Sequence, residues 1–123
     1  MLIIEDNEIL RSIIFEILEL ENFNVISAGD GVAGLNLAKD LKPDVIICDI
    51  NMPCLDGYGV LKELRKDLLI AKIPVIFLSS ETDSVTRLMA LKLGADDYLM
   101  KPIRINQLLE AINNQLQPMQ SVP

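Results

Sequence analysis

Two apolar patterns alternate along the chain, which has 123 residues. One is a short continuous apolar run, which is typical of a strand buried on both faces of a parallel sheet. The predicted strands are Leu2–Ile4, Val25–Ala28, Val45–Cys48, Val75–Leu78 and Tyr98–Met100. Each run is followed by a segment with apolar residues at helical spacing. Five such strand–helix units predict an α/β domain whose five-stranded parallel sheet has helices on both faces.

Three of the predicted helices have the clearest spacing of apolar residues. The residues expected to face the sheet are Leu10, Ile13, Ile14, Ile17 and Leu18 in the first helix, Val60, Leu61, Leu64 and Leu68 in the third, and Ile105, Leu108, Leu109, Ile112 and Leu116 in the fifth. Asp6 or Asn7 is expected to cap the first helix, and Gly94 suits the left-handed position that ends the fourth. Residues 1–117 are expected to form one domain, and residues 118–123 a tail or the start of a linker.

Composition narrows the functions that this domain could have. Half of the residues are apolar, so the chain can bury a core, yet no apolar run approaches the roughly 18 residues of a membrane span. The net charge of −7 argues against direct nucleic-acid binding, because phosphate contacts require lysine and arginine. The chain has no histidine, which excludes histidine-based catalysis within it. Cys48 and Cys54 do not form a disulfide framework and no signal peptide is recognisable, so a cytoplasmic location is expected.

Polar residues directly follow four of the five predicted strands. They are Glu5 and Asp6 after the first strand, Asp49 and Asn51 after the third, Ser79 and Ser80 after the fourth, and Lys101, which precedes Pro102, after the fifth. In doubly wound sheets, ligands bind beyond the carboxyl ends of the strands. If these strands are neighbours, three carboxylates converge there. Two such charges ~4 Å apart repel by about 4 kcal/mol in an effective dielectric constant of ~20. A hard divalent cation such as Mg²⁺, which binds carboxylate oxygens and retains several waters, would relieve this repulsion.

The same residues suit phosphoryl transfer. Asp49 is a candidate nucleophile, because carboxylates can form aspartyl phosphates. A cation and the ammonium group of Lys101 would neutralise charge on the transferred group. Ser79, or its competitor Ser80, could hydrogen-bond a phosphoryl oxygen. The turn that follows Asp49 would bend the chain away and leave the carboxylate accessible.

At these positions the sequence resembles the receiver domain of response regulators, the phosphorylated partners of kinases in two-component signalling. The segments that carry the resemblance are Ile4–Asn7, Cys48–Pro53, Asp56–Gly57, Leu78–Ser80, Gly94–Tyr98 and Lys101–Pro102. They cover essentially the whole chain in the family's order, and their combination is specific although each alone would be weak. The resemblance implies a flavodoxin-like, doubly wound fold with strand order 2-1-3-4-5.

The resemblance also implies a role for each residue of the acidic set. Asp49 would take a phosphoryl group from a phosphohistidine of a histidine kinase or phosphotransfer domain. Mg²⁺, or Mn²⁺, would be bound by the side chains of Glu5, Asp6 and Asp49 and by the backbone carbonyl of Asn51. Lys101 would contact the phosphoryl group. Such a domain promotes its own phosphorylation and dephosphorylation and is not a turnover enzyme acting on an exogenous substrate.

A conformational switch is implied as well. Ser79 would move to bond the phosphoryl group, and Tyr98 would fill the vacated space. The face that changes is formed by helix 4, strand 5 and helix 5, and it includes Arg87, Lys92, Arg104 and Gln107. A downstream protein or a fused output domain would read that face, and phosphorylation could also drive dimerisation. The Lys101–Pro102 peptide would be cis, an isomer found in about 5–6% of X–Pro bonds.

Each of these residues also has a structural explanation that the sequence leaves open. Glu5 and Asp6 could only cap the first helix and complement its dipole, and Asp49 could be an ordinary turn residue. Lys101 could be one more surface lysine, and Tyr98 could simply pack in the core. The functional interpretation is favoured because the charged residues all follow strands that one sheet edge would bring together.

Three other functions fit parts of the sequence. A haloacid-dehalogenase-like phosphatase also forms an aspartyl phosphate, but its nucleophile follows the first strand in an Asp-x-Asp pattern, whereas this chain has Asp49-Ile50-Asn51 after the third. A flavodoxin-like binder of flavin mononucleotide has a Ser/Thr/Gly phosphate loop where this chain has Glu5-Asp6. A pseudo-receiver would act only as an interaction domain, which the intact acidic set disfavours.

Overall fold

The computed structural model of the chain describes residues 1–80 and 84–116. Its elements, in chain order, are β1 (Leu2–Ile4), α1 (Glu8–Leu20), β2 (Ile26–Ala28), α2 (Gly31–Leu41), β3 (Ile46–Asp49), α3 (Gly57–Lys66), β4 (Val75–Ser79), α4 (Ser84–Lys92), β5 (Asp97–Met100) and α5 (Ile105–Leu116). The predicted alternation of five strands with five helices is confirmed. The tail predicted at residues 118–123 lies outside the described residues.

The five strands form one parallel sheet in the order β2-β1-β3-β4-β5, which confirms the predicted fold class and strand order. In β1, Leu2 pairs with Ile26 of β2 on one side and with Ile46 of β3 on the other. The strand order therefore reverses at β1, which is the switch point where doubly wound sheets bind ligands. The carboxyl ends of β1 and β3 are neighbours at this edge, and β4 and β5 follow on the β3 side.

Successive strand residues face opposite sides of the sheet, so two separate apolar cores form. Leu2 and Ile4 of β1 face the side that is covered by α2, α3 and α4. The buried residues from those helices are Leu35, Ala38, Val60, Leu61, Leu64 and Ala90. Ile3 faces the other side, and the buried residues there from α1 and α5 are Ile14, Leu18, Leu108, Ala111 and Ile112. Because both faces are covered, the strands read as continuous apolar runs.

Side-chain caps begin three helices at the edge of the sheet that carries the polar residues. Asn7 accepts a hydrogen bond from the N–H of Leu10 at 3.0 Å and so begins α1. Asp30 caps α2 and Asp56 caps α3 through equivalent bonds of 2.8 Å. Of the two residues expected to cap α1, the structure uses Asn7, and the side chain of Asp6 is left for another role.

Several residues that were expected to be buried are exposed. Leu68 is 94% exposed, because α3 ends at Lys66 and the extended conformation of Asp67 breaks the helical phase before Leu68 is reached. Ile13 of α1 and Ile105 of α5 are about half exposed, at 48% and 50%. The apolar stripe of each of these helices is therefore wider than the contact that the helix makes with the sheet.

The element boundaries differ from prediction by single residues. β2 and β3 each begin one residue later than predicted, and β5 begins one residue earlier. β3 and β4 each extend one residue further, so that Asp49 and Ser79 are the last residues of their strands. The expected positive φ of Gly94 is confirmed, at 110°. Among the described helices, none combines the length and the apolar character that crossing a bilayer requires.

Candidate functional site

The carboxyl edge of the sheet brings three carboxylates together. Asp49 ends β3, and Glu5 and Asp6 directly follow β1, which is its neighbour in the sheet. One oxygen from each carboxylate lies within 4.8 Å of those from the other two. Glu5 and Asp49 are buried, whereas Asp6 is exposed. These three residues, hereafter the carboxylate cluster, therefore form a buried acidic site that opens to solvent beside Asp6.

Lys101 follows β5 and supplies a cation to the carboxylate cluster. Its Nζ lies 3.1 Å from Oε1 of Glu5 and 3.1 Å from Oδ1 of Asp49. Its backbone N–H donates to the carbonyl of Ser79 at 2.7 Å, which ties the chain after β5 to the end of β4. The peptide bond between Lys101 and Pro102 is cis, which is the isomer that the family resemblance implies. One ammonium group thus bridges two buried carboxylates from different strands.

Glu5 is held through both its backbone and its side chain. Its N–H donates to the carbonyl of Ala28 at 3.1 Å, and its carbonyl accepts from Nη1 of Arg11 at 2.8 Å. Its carboxylate oxygen Oε2 accepts from the N–H of Asn7 at 3.1 Å, while Oε1 faces Lys101. The orientation of this carboxylate is therefore set before any ligand arrives.

The loop after β3 turns sharply beyond Asp49. The N–H of Ile50 donates to the carbonyl of Leu78 at 3.0 Å, and the carbonyl of Ile50 accepts from the N–H of Gly57 at 2.8 Å. The backbone N–H of Asn51 lies near the Asp49 carboxylate and acts to lower its pKa. Asn51 itself is exposed. The loop thus closes back onto the end of the strand and keeps the Asp49 side chain at the sheet edge.

Burial and ion pairing act in opposite directions on the pKa values of Glu5, Asp49 and Lys101. Burial raises the pKa of Glu5, although the Asn7 N–H and the Lys101 ammonium act to lower it. Burial also raises the pKa of Asp49 against the lowering effect of Lys101, and the nearby Asp6 adds to the rise. Burial alone would lower the pKa of Lys101, but its contacts with Glu5 and Asp49 outweigh burial and raise it. The single lysine therefore offsets only part of the cost of holding these charges out of water.

The oxygen donors of the cluster fit a hard divalent cation. Within residues 1–80 and 84–116, Oε1 of Glu5 and Oδ1 of Asp49 are buried and accept no directed hydrogen bond, their contacts with Lys101 being ion pairs. Both oxygens keep lone pairs for another partner. Asp6 adds a third carboxylate on the solvent side, where water can complete a coordination shell. A donor set made only of oxygens suits Mg²⁺ or Mn²⁺ better than it suits a soft metal.

Ser79 and Tyr98 lie on the neighbouring strands β4 and β5. Ser79 is fully buried, whereas Ser80 is exposed, so Ser79 is the serine that belongs to the sheet edge. Tyr98 is only 4% exposed and packs in the same core cluster as Ala90 of α4 and Ala95. The tyrosine ring therefore occupies an inward position in this structure.

A cleft of about 560 Å³ lies beside the carboxylate cluster, on the side of β5 and α5. The residues that line it include Arg87, Tyr98, Lys101, Arg104, Gln107 and Glu110. Lys101 lines this cleft and also pairs with Glu5 and Asp49 of the carboxylate cluster. The cleft on the face formed by α4, β5 and α5 therefore shares one residue, Lys101, with the acidic site.

Two arginines that bind backbone carbonyls were missed by sequence analysis, one beside the carboxylate cluster and one at the opposite edge of the sheet, before β4 and β5. Arg11 binds the carbonyl of Glu5. Arg65 of α3 pairs with Asp96 at 3.1 Å and donates to the carbonyls of Ala71, Ile73 and Gly94. Both arginines lie on helices at positions that resemble solvated surface, so no local pattern distinguished them. Cys48 and Cys54 are both free, in agreement with the expectation that they form no disulfide.

Comparison with known proteins places this geometry in a family. Residues 1–113 match the family model described as response regulator receiver domain. The chain is 43% identical over 108 residues to the probable transcriptional regulator ycf27 of Guillardia theta, covering 88% of this chain and 41% of that protein. It is 31% identical over 116 residues to the DNA-binding response regulator MtrA of Mycobacterium tuberculosis, covering 94% of this chain and 50% of that protein. The chain thus spans about half the length of the curated relatives it matches.

A solved structure supports the same assignment. The receiver domain of the Francisella response regulator 1452 superimposes on this chain with a TM-score of 0.89 and 34% sequence identity, and the alignment covers 95% of each chain. The strand order and the family match over residues 1–113 agree with this likeness. The chain therefore belongs to the response regulator receiver domain family of two-component signalling.

Proposed function

We propose that this receiver domain accepts a phosphoryl group on Asp49 from a phosphohistidine of a histidine kinase or phosphotransfer domain. The observation that carries the proposal is the bridge that Lys101 forms between the buried carboxylates of Asp49 and Glu5, beside Asp6. A carboxylate that is fixed at a strand end, next to an ammonium group and further oxygen donors, combines a nucleophile with groups that neutralise a phosphate.

The transfer reaction follows from the placement of Asp49. A carboxylate oxygen of Asp49 attacks phosphorus and forms an O–P bond, while the P–N bond of the phosphohistidine breaks and its electron pair returns to the imidazole. Lys101, whose Nζ already lies 3.1 Å from Oδ1 of Asp49, is placed to pair with the phosphoryl oxygens. Later attack of water on phosphorus breaks the O–P bond, which restores the carboxylate and releases inorganic phosphate. The domain therefore promotes its own phosphorylation and dephosphorylation and does not turn over an exogenous substrate.

Mg²⁺, or Mn²⁺, would be held by the side chains of Glu5, Asp6 and Asp49 and by the backbone carbonyl of Asn51. The mutual approach of the three carboxylates and their incomplete hydrogen bonding support this assignment. When bound, the ion supplies positive charge to the oxygens of the phosphoryl group. Glu5 is already oriented by its hydrogen bonds, so the cluster needs little rearrangement to bind a cation.

Phosphorylation of Asp49 would change the face formed by α4, β5 and α5. A phosphoryl group brings up to about two negative charges and strong acceptor oxygens, which the hydroxyl of Ser79 would approach from the end of β4. Tyr98 belongs to the same core cluster as Ala90 of α4, and it lies on the strand next to that of Ser79. A shift of Ser79 would alter the space available to the tyrosine ring. A partner would distinguish the two states at the neighbouring cleft.

The relatives suggest the wider setting of the domain. Two of them are a DNA-binding response regulator and a probable transcriptional regulator, which favours a fused output domain or a separate downstream protein as the receiver of the signal. Residues 1–117 would form the receiver, and residues 118–123 a tail or linker. With a net charge of −7, the receiver would not bind nucleic acid itself, although phosphorylation could make it dimerise. Its free cysteines suit the reducing cytoplasm.

Intact-mass spectrometry tests this proposal. Wild-type protein incubated with acetyl phosphate and Mg²⁺ should gain one phosphoryl group, and removal of the ion with EDTA should abolish the gain. Asp49→Asn should gain none, whereas Asp40→Asn, which changes an exposed aspartate of α2, should behave like wild type. A gain by both wild type and Asp49→Asn would remove Asp49 from this role. No gain by wild type would favour a pseudo-receiver that acts only as an interaction domain.

A further inference from the structure

Arg11 reaches from α1 back to the end of β1. Its Nη1 donates a hydrogen bond of 2.8 Å to the carbonyl of Glu5, a residue that is 0% exposed. A buried carbonyl without a partner would cost free energy, and at this strand end the partner is a side chain. The main chain that carries Glu5 and Asp6 is thus fastened by Arg11.

The guanidinium group of Arg11 also lies over Gly29, the residue that follows β2. A Cβ at position 29 would lie 3.0 Å from Nη1 and 3.5 Å from Cζ of Arg11, so the missing side chain of Gly29 leaves the space that the guanidinium uses. Next to Gly29, the carbonyl of Ala28 accepts a hydrogen bond of 3.1 Å from the N–H of Glu5. Arg11 therefore lies where the ends of β1 and β2 meet, and it binds the main chain of one residue of the carboxylate cluster.

We propose that Arg11 is a positioning residue, which holds the main chain of Glu5 against the β2 end so that the carboxylates of Glu5 and Asp6 face Asp49. The proposal rests on the proposed function, since its consequence is the affinity of the cluster for a divalent cation. Arg11 acts through geometry, because it contacts a backbone carbonyl. The ammonium group that pairs with the carboxylates belongs to Lys101.

The geometric role and the charge of Arg11 have opposite consequences for cation binding. A positive side chain repels an incoming cation, so the loss of its charge alone would tighten binding. Loss of the support that Arg11 gives to Glu5 would weaken cation binding. Mutation of residues that orient metal ligands typically lowers metal affinity by about 10–100-fold. Weaker cation binding after loss of Arg11 would therefore indicate the geometric role, and tighter binding would indicate that only the charge matters.

A titration with Mn²⁺, followed by electron paramagnetic resonance of the free ion, measures this affinity directly. Arg11→Met should weaken Mn²⁺ binding about tenfold, and Arg11→Lys, which keeps a donor for the Glu5 carbonyl, should recover most of the loss. Gly29→Val, whose side chain needs the volume that the guanidinium occupies, should weaken binding in the same direction. Combined with Arg11→Met it should add little, because both act through one contact. Lys62→Met removes a positive charge from an exposed site on α3 and should bind like wild type.

Thermal unfolding of the metal-free variants shows whether each protein is folded when its affinity is measured. Unchanged or tighter Mn²⁺ binding by folded Arg11→Met would overturn the inference, as would a loss of affinity that Arg11→Lys does not recover. If Arg11→Met fails to fold, Gly29→Val decides in its place, and unchanged affinity in that variant overturns the inference. Wild-type protein that binds no Mn²⁺ would instead contradict the proposed cation site, so the two failures are distinguishable.

Discussion

The ammonium group of Lys101 lies 3.1 Å from Oδ1 of Asp49, and it lies equally close to Oε1 of Glu5. Both carboxylates are buried, so the lysine separates two like charges that water hydrates poorly. Lys101 also lies beside the carboxylate oxygens that would bind a metal cation. It therefore stabilises the metal-free protein and at the same time opposes the entry of a second positive charge.

Lys101→Met should destabilise the metal-free protein by about 1–3 kcal/mol at pH 8, because two buried carboxylates lose their partner. The same variant should bind Mg²⁺ more tightly than wild type, since a repelling charge is removed. Urea denaturation with and without Mg²⁺ measures both effects. Lys62→Met, at an exposed position of α3, should change neither. An unaltered free energy of unfolding for Lys101→Met would show that the bridge is not stabilising.

Asp49→Asn should increase the stability of the metal-free protein at neutral pH. Burial raises the pKa of Asp49 in the folded state, so the folded protein binds this proton more strongly than the unfolded chain does. This stronger binding of the proton contributes to the free energy of unfolding. The contribution is fully present below the pKa of aspartate in the unfolded chain, about 3.9, and is lost as the pH rises through the pKa of Asp49 in the folded protein. Asparagine cannot ionise and avoids that loss.

The gain from Asp49→Asn, measured as the difference in free energy of unfolding from wild type, should therefore be largest above pH 7 and should shrink towards pH 4. Urea denaturation across this range in the presence of EDTA measures it. Asp40→Asn serves as the control because Asp40 is exposed on α2, and its difference from wild type should stay small throughout. A gain in stability that grows as the pH falls would contradict a raised pKa of Asp49 in the folded protein.

Much of this fold and site could be predicted from local sequence. The strands of a sheet covered on both faces read as continuous apolar runs, so Glu5, Asp49 and Lys101 could be recognised as residues that follow strand ends. Parallel strands bring such ends to one edge, which is why the carboxylate cluster could be expected on the condition that the strands are neighbours. Ser79 was identified by the same reasoning, and it is the buried serine of the pair.

Other features depend on tertiary contacts that no local pattern encodes. Arg11 and Arg65 bind backbone carbonyls that lie outside their own helices, and such carbonyls leave no trace in the sequence of a helix. Leu68 continues the apolar spacing of α3, yet the helix has ended before it. Ile105 lies on the apolar stripe of α5 but beyond the width of the contact with the sheet, so half of it stays exposed.

Gly57→Ala should disturb the loop that carries Asp49. A Cβ at position 57 would lie 2.7 Å from the carbonyl oxygen of Asp49 and 2.8 Å from Cα of Ile50, both of them backbone atoms. We expect a loss of about 1–3 kcal/mol in the free energy of unfolding and slower phosphorylation by acetyl phosphate. Gly59→Ala is the matched control on α3, because its new Cβ would meet the flexible end of the Leu55 side chain. Equal effects of the two substitutions would contradict the proposed backbone clash.

Arg65→Met should destabilise the protein by about 2–3 kcal/mol, because its charge-assisted hydrogen bonds to three carbonyls and to Asp96 are lost together. The adjacent Lys66→Met is the control, since Lys66 forms a surface pair with Glu63 at 3.2 Å that should be worth about 0–1 kcal/mol. Chemical denaturation measures both. Similar losses for the two variants would show that Arg65 acts only as a surface charge.

The most direct test of the proposed function is to identify the residue that carries the phosphoryl group. Borohydride reduces an acyl phosphate to an alcohol, which converts a phosphorylated aspartate into homoserine, and tandem mass spectrometry of peptides then locates the change. After incubation with acetyl phosphate and Mg²⁺, we expect homoserine at position 49 and at no other aspartate. Homoserine at Asp6 or Asp56, or a phosphoryl group that resists reduction because it is carried by a serine such as Ser79, would contradict the assignment of Asp49 as the phosphoacceptor.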